Sequence, residues 1–445
     1  MKNFRIPTLV FALIAVLISA QFSACVSVDG KNQPQRKQLP TMLERNASIG
    51  SDEERMKVSQ TYTDLKNAIW ADETDMKSHL KLVQLFMLEA RATGEHGHYY
   101  PAALTVLDDV LGQTAMRDEK FQALALKASV LLSLHQFDKA LVVAKEAITI
   151  NPHNAQIYGA LVDAYVELGK YDRAIEAADK MMSIRPDLRS YSRVSYLREI
   201  HGDNQGAIEA MEMAVSAGYP GYEESAWCRL NLGNLYEKQG KLKEASAQYD
   251  RILYDRPKYP FAIAAKARIA EKNGMIDSAK VYFKQACTII PEVGFYEELA
   301  RLNKAEGNME VCQKITTDVL SMLADDEESG HVMNLEYANV YLELEENVEK
   351  AEEYARKEYD ARPLNIDVNL MMARIAYAKK DFGAAQEFMQ VAMSTHSKQA
   401  ERALLAGLVN IKLGKVTEGK KLIRKAFATD PYLGGSLAKE AKSLM

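Results

Sequence analysis

The chain lacks the features that mark most enzymes and multispan membrane proteins. It has four cysteines, two tryptophans, 12 prolines and 23 glycines in 445 residues. Beyond residues 6–20 there is no long apolar run, which argues against a second membrane-spanning helix of about 20 residues. We find no Gly-x-Ser-x-Gly, no phosphate-binding glycine loop and no His-Glu-x-x-His, so the sequence predicts no enzyme activity.

The few cysteines argue against a disulfide framework. With Cys25 set apart near the N-terminus, Cys228, Cys287 and Cys312 are left on predicted helices, and an odd number cannot pair fully. Cys287 and Cys312 fall on nearly parallel helices with an axial offset of roughly 12 Å. A disulfide tolerates only about 7 Å between Cα atoms. We therefore predict three buried thiols.

The charge balance restricts the partners. The formal net charge is −5 at pH 7, with 26% charged and 47% hydrophobic residues. Nucleic-acid binding requires a basic face, which a mildly acidic chain does not favour. No nucleic-acid partner is therefore predicted, and the low glycine and proline content suits a helical protein.

What the chain does have is a repeat, most visible in its prolines. Seven prolines fall into three groups: Pro152, Pro186 and Pro220; Pro257 and Pro291; Pro363 and Pro431. Successive prolines of a group lie 34 residues apart, except in the last group, where they lie 68 apart. A period of roughly 20–50 residues marks an array of stacked units rather than one globular core. Binding is then a more natural role than chemistry.

Small and aromatic residues recur in phase between these prolines. The unit at 226–259 shows the pattern fully, with Leu232, Gly233, Tyr236, Ala245, Tyr249 and Pro257. This pattern resembles the tetratricopeptide repeat, and the resemblance covers roughly residues 74–433. It implies an all-α fold, a right-handed superhelical solenoid of antiparallel helix hairpins. Apolar spacing of three and four residues gives each helix one buried face, and proline ends the second helix.

The repeat register divides the chain into segments. We predict a lipoprotein signal peptide at 1–24, a flexible tether at 25–50, N-terminal helices with a divergent first unit at 51–120, six units at 121–322, three units at 331–433 and a capping helix at 434–445. The acidic stretch 324–330 between the two arrays is either a hinge or a solvated loop. The divergent unit has an expanded turn at 91–101.

The N-terminus indicates a destination. Lys2 and Arg5 precede the apolar run, as in a secretory signal. Phe22-Ser23-Ala24-Cys25 then resembles a bacterial lipobox, with Cys25 as the lipidated residue, although Phe22 departs from the usual leucine. The residue after Cys25 is Val26 rather than aspartate, which by resemblance to lipoproteins favours the outer membrane over the inner membrane. The alternative is plain secretion with Cys25 as an ordinary thiol.

The resemblance also implies a binding face, because first helices line the concave side of such arrays. The residues expected there are Trp227, Asn234, Phe261, Arg268, Arg301, Asn339, Arg374 and Tyr377. Arginine can hold carboxylates with two parallel hydrogen bonds, asparagine can bond an extended peptide backbone, and aromatic rings supply anchor area. Alternatively, the arginines pair with Glu237, Glu271 and Glu297 on neighbouring units.

One further cluster calls for a prediction. Glu95-His96-Gly97-His98 could supply three zinc ligands, but no fourth is visible, so neither a metal nor a cofactor is predicted. The cluster is then a polar loop or a contact surface.

Together these features favour a lipid-anchored adaptor of the cell envelope that binds protein or peptide partners. The alternative is a surface lipoprotein that binds glycans or nutrients. Proteins of that kind usually carry large insertions, whereas these units are regular.

Overall fold

The computed structural model describes residues 38–113 and 116–445, and every regular element within them is an α-helix. The predicted signal peptide and Cys25 lie outside the described residues. Residues Leu39–Met445 form one compact unit. In chain order the helices are α1 Asp52–Ala71, α2 Met76–Thr93, α3 His96–Gly112, α4 Arg117–Ser133, α5 Phe137–Ile150, α6 Ala155–Glu167, α7 Tyr171–Ile184, α8 Leu188–Ile200, α9 Asn204–Ala217, α10 Glu223–Glu237, α11 Leu242–Asp255, α12 Pro260–Lys272, α13 Ile276–Ile289, α14 Val293–Ala305, α15 Met309–Glu328, α16 Asn334–Glu343, α17 Val348–Ala361, α18 Ile366–Ala378, α19 Phe382–Ala392, α20 Ala400–Lys412, α21 Val416–Thr429 and α22 Gly435–Leu444.

These helices stack as hairpins, which confirms the predicted all-α solenoid. In the described part of the chain α2 to α21 pair into ten hairpins, with α1 before them and α22 after them. The periodic prolines stand two or three residues beyond second helices, as at Ile150 with Pro152 and Ile289 with Pro291. Proline lacks the N–H that another helical turn would need, so it ends the helix there.

Small residues allow the two helices of a hairpin to approach closely. A Cβ atom on Gly233 of α10 would overlap the ring of Tyr249 on α11. On Gly407 of α20 it would lie 2.8 Å from the carbonyl oxygen of Gly419 on α21. The in-phase glycines of the sequence pattern are therefore packing positions.

The apolar core continues across the predicted boundary between the two arrays. Residues 324–328 extend α15, so they form neither a hinge nor a loop. Val319 and Leu323 of α15 share a buried cluster with Met333 and Tyr337, at the start of the next unit. The acidic run suggested a break in the array, because its charged side chains follow directly after the buried apolar residues of α15.

Residues 39–50 differ from the expected flexible tether, because they are packed against the hairpins. Leu39 and Ile49 are buried, and the Tyr99 hydroxyl accepts a hydrogen bond from the Leu43 N–H at 3.1 Å. The side chain of Arg45 is buried with Glu89, to which its Nε donates at 2.6 Å. The polar composition of the segment concealed these anchors, since each makes its contact with a residue distant in sequence.

The expected loop at 91–101 is also mostly helical. α2 ends at Thr93 and α3 begins at His96, so only Gly94 and Glu95 form the turn, and Pro101 lies within α3. The additional residues lengthen α3 to 17 residues, whereas most second helices have 14. Proline within a helix removes one hydrogen bond, which made a loop the natural expectation.

The array closes on itself, because hairpins almost six units apart touch edge to edge. Gln136 Nε2 donates to the Gly330 carbonyl at 2.7 Å, and the Val332 N–H donates to the Leu134 carbonyl at 3.1 Å. These partners lie 194 and 198 residues apart along the chain. We call this line of contacts the seam.

The seam continues at the next hairpin turn. Asn365 Nδ2 donates to the Glu167 carbonyl at 2.9 Å, and the Ile366 N–H donates to the Tyr171 hydroxyl at 2.9 Å. Arg362 forms an ion pair with the Glu167 carboxylate at 2.5 Å. The turns within the earlier hairpins thus contact the ends of second helices almost six units later in the array.

Gly169 makes one of the close contacts of the seam and allows a test of it. Its φ is +68°, and a Cβ would lie 2.5 Å from the Leu364 carbonyl carbon. Gly414 occupies the same place in the last unit with φ +81°, but a Cβ built there has open space for 4 Å around it. We expect Gly169→Ala to lower the free energy of unfolding by about 1–3 kcal/mol more than Gly414→Ala, because only the former overpacks the seam.

Thermal and urea unfolding of both variants measures this difference. The backbone penalty of positive φ, about 1–2 kcal/mol, is common to both and cancels in the comparison. Equal destabilisation of the two variants would contradict the seam.

Candidate partner-binding groove

The predicted groove lies on the first helices, and its members differ in exposure. Leu197 and Leu408, at the ninth place of their units, are buried in the core. The polar members at that place are half-buried: Asn234, Arg268, Arg301, Asn339 and Arg374. The same position of the first helix thus lies in the core where it is leucine and at the groove where it is arginine.

Arg268 braces α12 to α10. Its Nη2 donates to Asn234 Oδ1 at 2.8 Å, and its Nε donates to Glu237 Oε1 at 3.1 Å. Tyr249, on the second helix of the same hairpin as Glu237, places its hydroxyl 2.9 Å from Glu237 Oε2. Because Glu237 is only 6% exposed, its charge depends on the arginine of the next hairpin for compensation.

The same bracing recurs along the array. Arg301 donates from Nη2 to Glu271 Oε2 at 2.6 Å, which joins α14 to α12. Arg374 donates from Nη1 to Asn339 Oδ1 at 3.3 Å and forms an ion pair with Glu343 at 2.5 Å, which joins α18 to α16. Each arginine reaches back by about one unit, so the braces repeat with the period of the sequence.

Two of the three glutamates that are expected to pair with these arginines if their role is structural do so. Arg268 meets Glu237 and Arg301 meets Glu271. Glu297 instead accepts a hydrogen bond from Asn339 at 3.3 Å, and Arg374 takes Glu343. Binding of a partner by these arginines stays a prediction, and any ligand carboxylate would compete with an existing ion pair.

The three predicted aromatic anchors are in different surroundings. Trp227 on α10 is 46% exposed. Phe261 on α12 packs edge to face on Phe295, with ring centroids 5.4 Å apart, and lines a cavity beside the 48–54 segment. Tyr377 is only 8% exposed, and its hydroxyl donates to Glu440 of α22 at 2.9 Å. Trp227 alone of these three presents a largely free ring.

Sequence reasoning missed a group of carboxylates inside the array. Burial raises the pKa of Glu297 to about 8, with Glu336 as a further cause, and that of Glu292 to about 7, with Asp326 and Glu336 adding to it. Burial also raises the pKa of Asp326 to about 6. These side chains come from separate parts of the chain, so no local spacing could reveal the group.

The histidine pair of the 91–101 segment separates in space. His98 Nε2 lies 2.8 Å from the Thr41 carbonyl, whereas His96 stacks near His331 across the seam, with ring centroids 6.0 Å apart. Neighbours two apart on a helix point to opposite sides, which explains the separation. Burial lowers the pKa of His96 and of His331 to about 4. Among the described residues no group of three or more potential ligands could hold a metal ion.

Two other sequence expectations can be located. Cys228 and Cys312 are buried free thiols and Cys287 is a half-buried one, and burial raises the pKa of both Cys228 and Cys287 to about 12. In the described part of the chain no helix has the length and apolarity needed to cross a membrane.

The raised carboxyl pKa values predict how stability depends on pH. The folded chain holds protons on Glu292 and Glu297 that the unfolded chain releases above about pH 4.5, so this contribution to stability is lost as pH rises to about 8. The lowered histidine pKa values act only below about pH 6.5. The free energy of unfolding should therefore be larger at pH 6.5 than at pH 8, and Glu297→Gln should reduce the difference by on the order of 1 kcal/mol.

Urea unfolding at the two pH values measures both effects. Glu310→Gln, which changes an exposed glutamate of α15, is the matched control and should leave the difference unchanged. A wild-type chain with equal stability at both pH values would contradict the prediction.

Comparisons with known proteins fit this architecture. Family models described as tetratricopeptide repeat match residues 131–198, 225–256 and 262–293. The chain is similar to a tetratricopeptide-repeat-containing protein of Methanocaldococcus jannaschii, with 21% identity over 54% of this chain and 44% of that protein. It is also similar to a FAM10 family protein of Arabidopsis thaliana, with 30% identity over 35% of this chain and 34% of that protein.

The chain thus matches less than half the length of these two relatives. Among solved structures, a thermophilic TPR protein of Thermus thermophilus is 23% identical, covers 44% of this chain and 97% of its own, and has a TM-score of 0.37. The matched models describe a repeat rather than a catalytic domain, and the hairpins bear the residue pattern of that repeat. The chain contains tetratricopeptide repeats within residues 131–293.

Proposed function

We propose that this chain is a lipid-anchored adaptor of the cell envelope. A lipid on Cys25 would hold the repeat array at the outer membrane, and the first-helix faces would bind an extended segment of a protein partner. Stacked repeats create extended surfaces that suit this role. The lipobox-like Phe22-Ser23-Ala24-Cys25 motivates the anchor.

One observation carries the partner-binding part of the proposal: α10 presents a partly buried polar stripe beside a half-exposed tryptophan. Trp227, Asn231 and Asn234 lie four and three residues apart, so they share one helical face. Trp227 is 46% exposed, whereas the rings of the core are buried. Tryptophan is enriched among the residues that dominate binding energy at interfaces.

The arginine brace also prepares Asn234 for a ligand. Asn234 Oδ1 accepts hydrogen bonds from Arg268 at 2.8 Å and from Tyr249 at 2.9 Å. Both bonds use the oxygen, which fixes the orientation of the amide. The two Nδ2 donors then remain for the backbone carbonyls of an extended peptide.

The buried carboxylates suggest which segment would fit. Glu292 and Glu297 have pKa values raised mainly by burial, so a cationic side chain close to them would relieve the cost of ionising them. A partner segment with lysine or arginine is therefore favoured over an acidic one.

Replacement of Trp227 tests the groove. Crosslinking in cells followed by mass spectrometry first identifies the partner, and the purified pair then gives an affinity. We expect Trp227→Ala to weaken binding at least tenfold, since loss of a central aromatic anchor typically costs about 2 kcal/mol or more. Its Tm should change little because the ring is half-exposed.

Tyr282→Ala is the matched control, because Tyr282 is a partly exposed aromatic on the second helix α13. It should leave the affinity unchanged. An unchanged affinity for Trp227→Ala would reject the groove on α10.

The anchor is tested separately through Cys25. Wild-type protein made in a Gram-negative host should enter the detergent phase on Triton X-114 partition, and Cys25→Ser should enter the aqueous phase, because two or more acyl chains give stable membrane attachment. Cys287→Ser, which removes a different thiol, should behave like the wild type. Aqueous partition of the wild type would favour plain secretion.

A further inference from the structure

A cavity of about 420 Å³ opens beside the packed N-terminal segment, and Trp227 is not among its lining residues. Its walls come from the 48–54 segment, the end of α2, the residues that precede α10 and the residues that precede α12. The volume lies within the range of about 300–1,000 Å³ that is usual for small-molecule sites. Four chain segments distant in sequence therefore build one concave site.

The walls carry three basic and three acidic side chains. Arg91, Arg256 and Lys258 face Glu54, Glu223 and Asp255. Two of these carboxylates have partners outside the lining: Glu54 bonds Arg45 at 2.9 Å, and Asp255 bonds Arg251 at 3.2 Å. Arg45 also pairs with Glu89, so the wall and these partners together carry five basic and four acidic side chains.

Arg256 is held as part of the wall. Its Nη1 donates to the Gly221 carbonyl at 2.8 Å, and its Nη2 lies 3.9 Å from Glu54. Burial raises the pKa of Glu223, which favours its neutral form, and its Oε1 is 3.3 Å from the Tyr259 hydroxyl.

The helices that start at this cavity add to that charge. α1, α10 and α12 all begin among its lining residues, and within the described ranges no side chain caps α10 or α12. A helix N-terminus carries the equivalent of about half a positive charge. The N-terminus of α12, which has no acidic residue in its first turn, reinforces the arginines and the lysine.

One side of the cavity is apolar. Tyr259 and Phe261 lie with ring centroids 5.6 Å apart, and Ile49 and Pro260 also line the cavity. A ligand that matched both sides would have a charged group and a ring or aliphatic body.

We infer that this cavity binds a small organic anion, with its phosphate or carboxylate near Arg91, Arg256 and Lys258 and its body against Tyr259 and Phe261. The site is separate from the adaptor role, and either can fail without the other. Because Ile49, Gly50 and Ser51 belong to the wall, an occupant also fastens the N-terminal segment to α10 and α12.

Calorimetric titration with three related probes tests the site: phenyl phosphate, phenylacetate and the neutral benzyl alcohol. We expect at least one anion to bind and benzyl alcohol to bind at least tenfold more weakly. Arg91→Gln with Lys258→Gln should weaken the anion at least tenfold, since both side chains are exposed enough to be replaced without loss of fold. The anion that binds more tightly identifies the head group.

Arg173→Gln with Lys243→Gln changes the net charge equally on the exposed surfaces of α7 and α11, and should leave binding unchanged. The bound anion should also slow proteolysis of residues 39–50. Failure of both anions to bind, equal binding of benzyl alcohol, or equal losses in the two double variants would overturn the inference. Trp227→Ala should bind the anion normally, which separates this result from that of the groove.

Discussion

Each helical hairpin in the described part of the chain buries its apolar face mainly against neighbouring hairpins of the array, and the rest of the structure depends on that stacking. A cluster such as Val319, Leu323, Met333 and Tyr337 belongs to two units at once. A hairpin alone would leave such residues in water. The continuous core explains why an acidic run at 324–330 interrupts neither the helix α15 nor the array.

Polar contacts then fix the geometry that the core permits. Arg268, Arg301 and Arg374 each reach back to the preceding unit, where Glu237, Glu271 and Glu343 accept their hydrogen bonds or ion pairs. Partly buried pairs of this kind add little net stability but favour one arrangement over others. The same side chains that a sequence pattern assigns to ligand binding therefore also set the spacing of the helices.

Hairpins almost six units apart touch along the seam, which gives the array sites that no single hairpin could form. Glu167 meets Arg362, and the 39–50 segment lies across hairpins that are far apart in sequence. The cavity beside Ile49 arises from this closure, because its wall joins residues 91–92 to residues 255–261. Equivalent positions of different units thus acquire different roles, as Gly169 and Gly414 show.

The sequence by itself determined the class of fold, the unit length and the ends of the second helices, because apolar periodicity and proline act locally. It also named both alternatives for the arginines. Only the tertiary structure decided that residues 39–50 are packed, that 96–101 is helical, that Tyr377 lies under α22 and that Glu336 approaches Glu292 and Glu297. Most of those outcomes depend on contacts between residues tens to hundreds of positions apart, and a repeat pattern describes only the nearest neighbour.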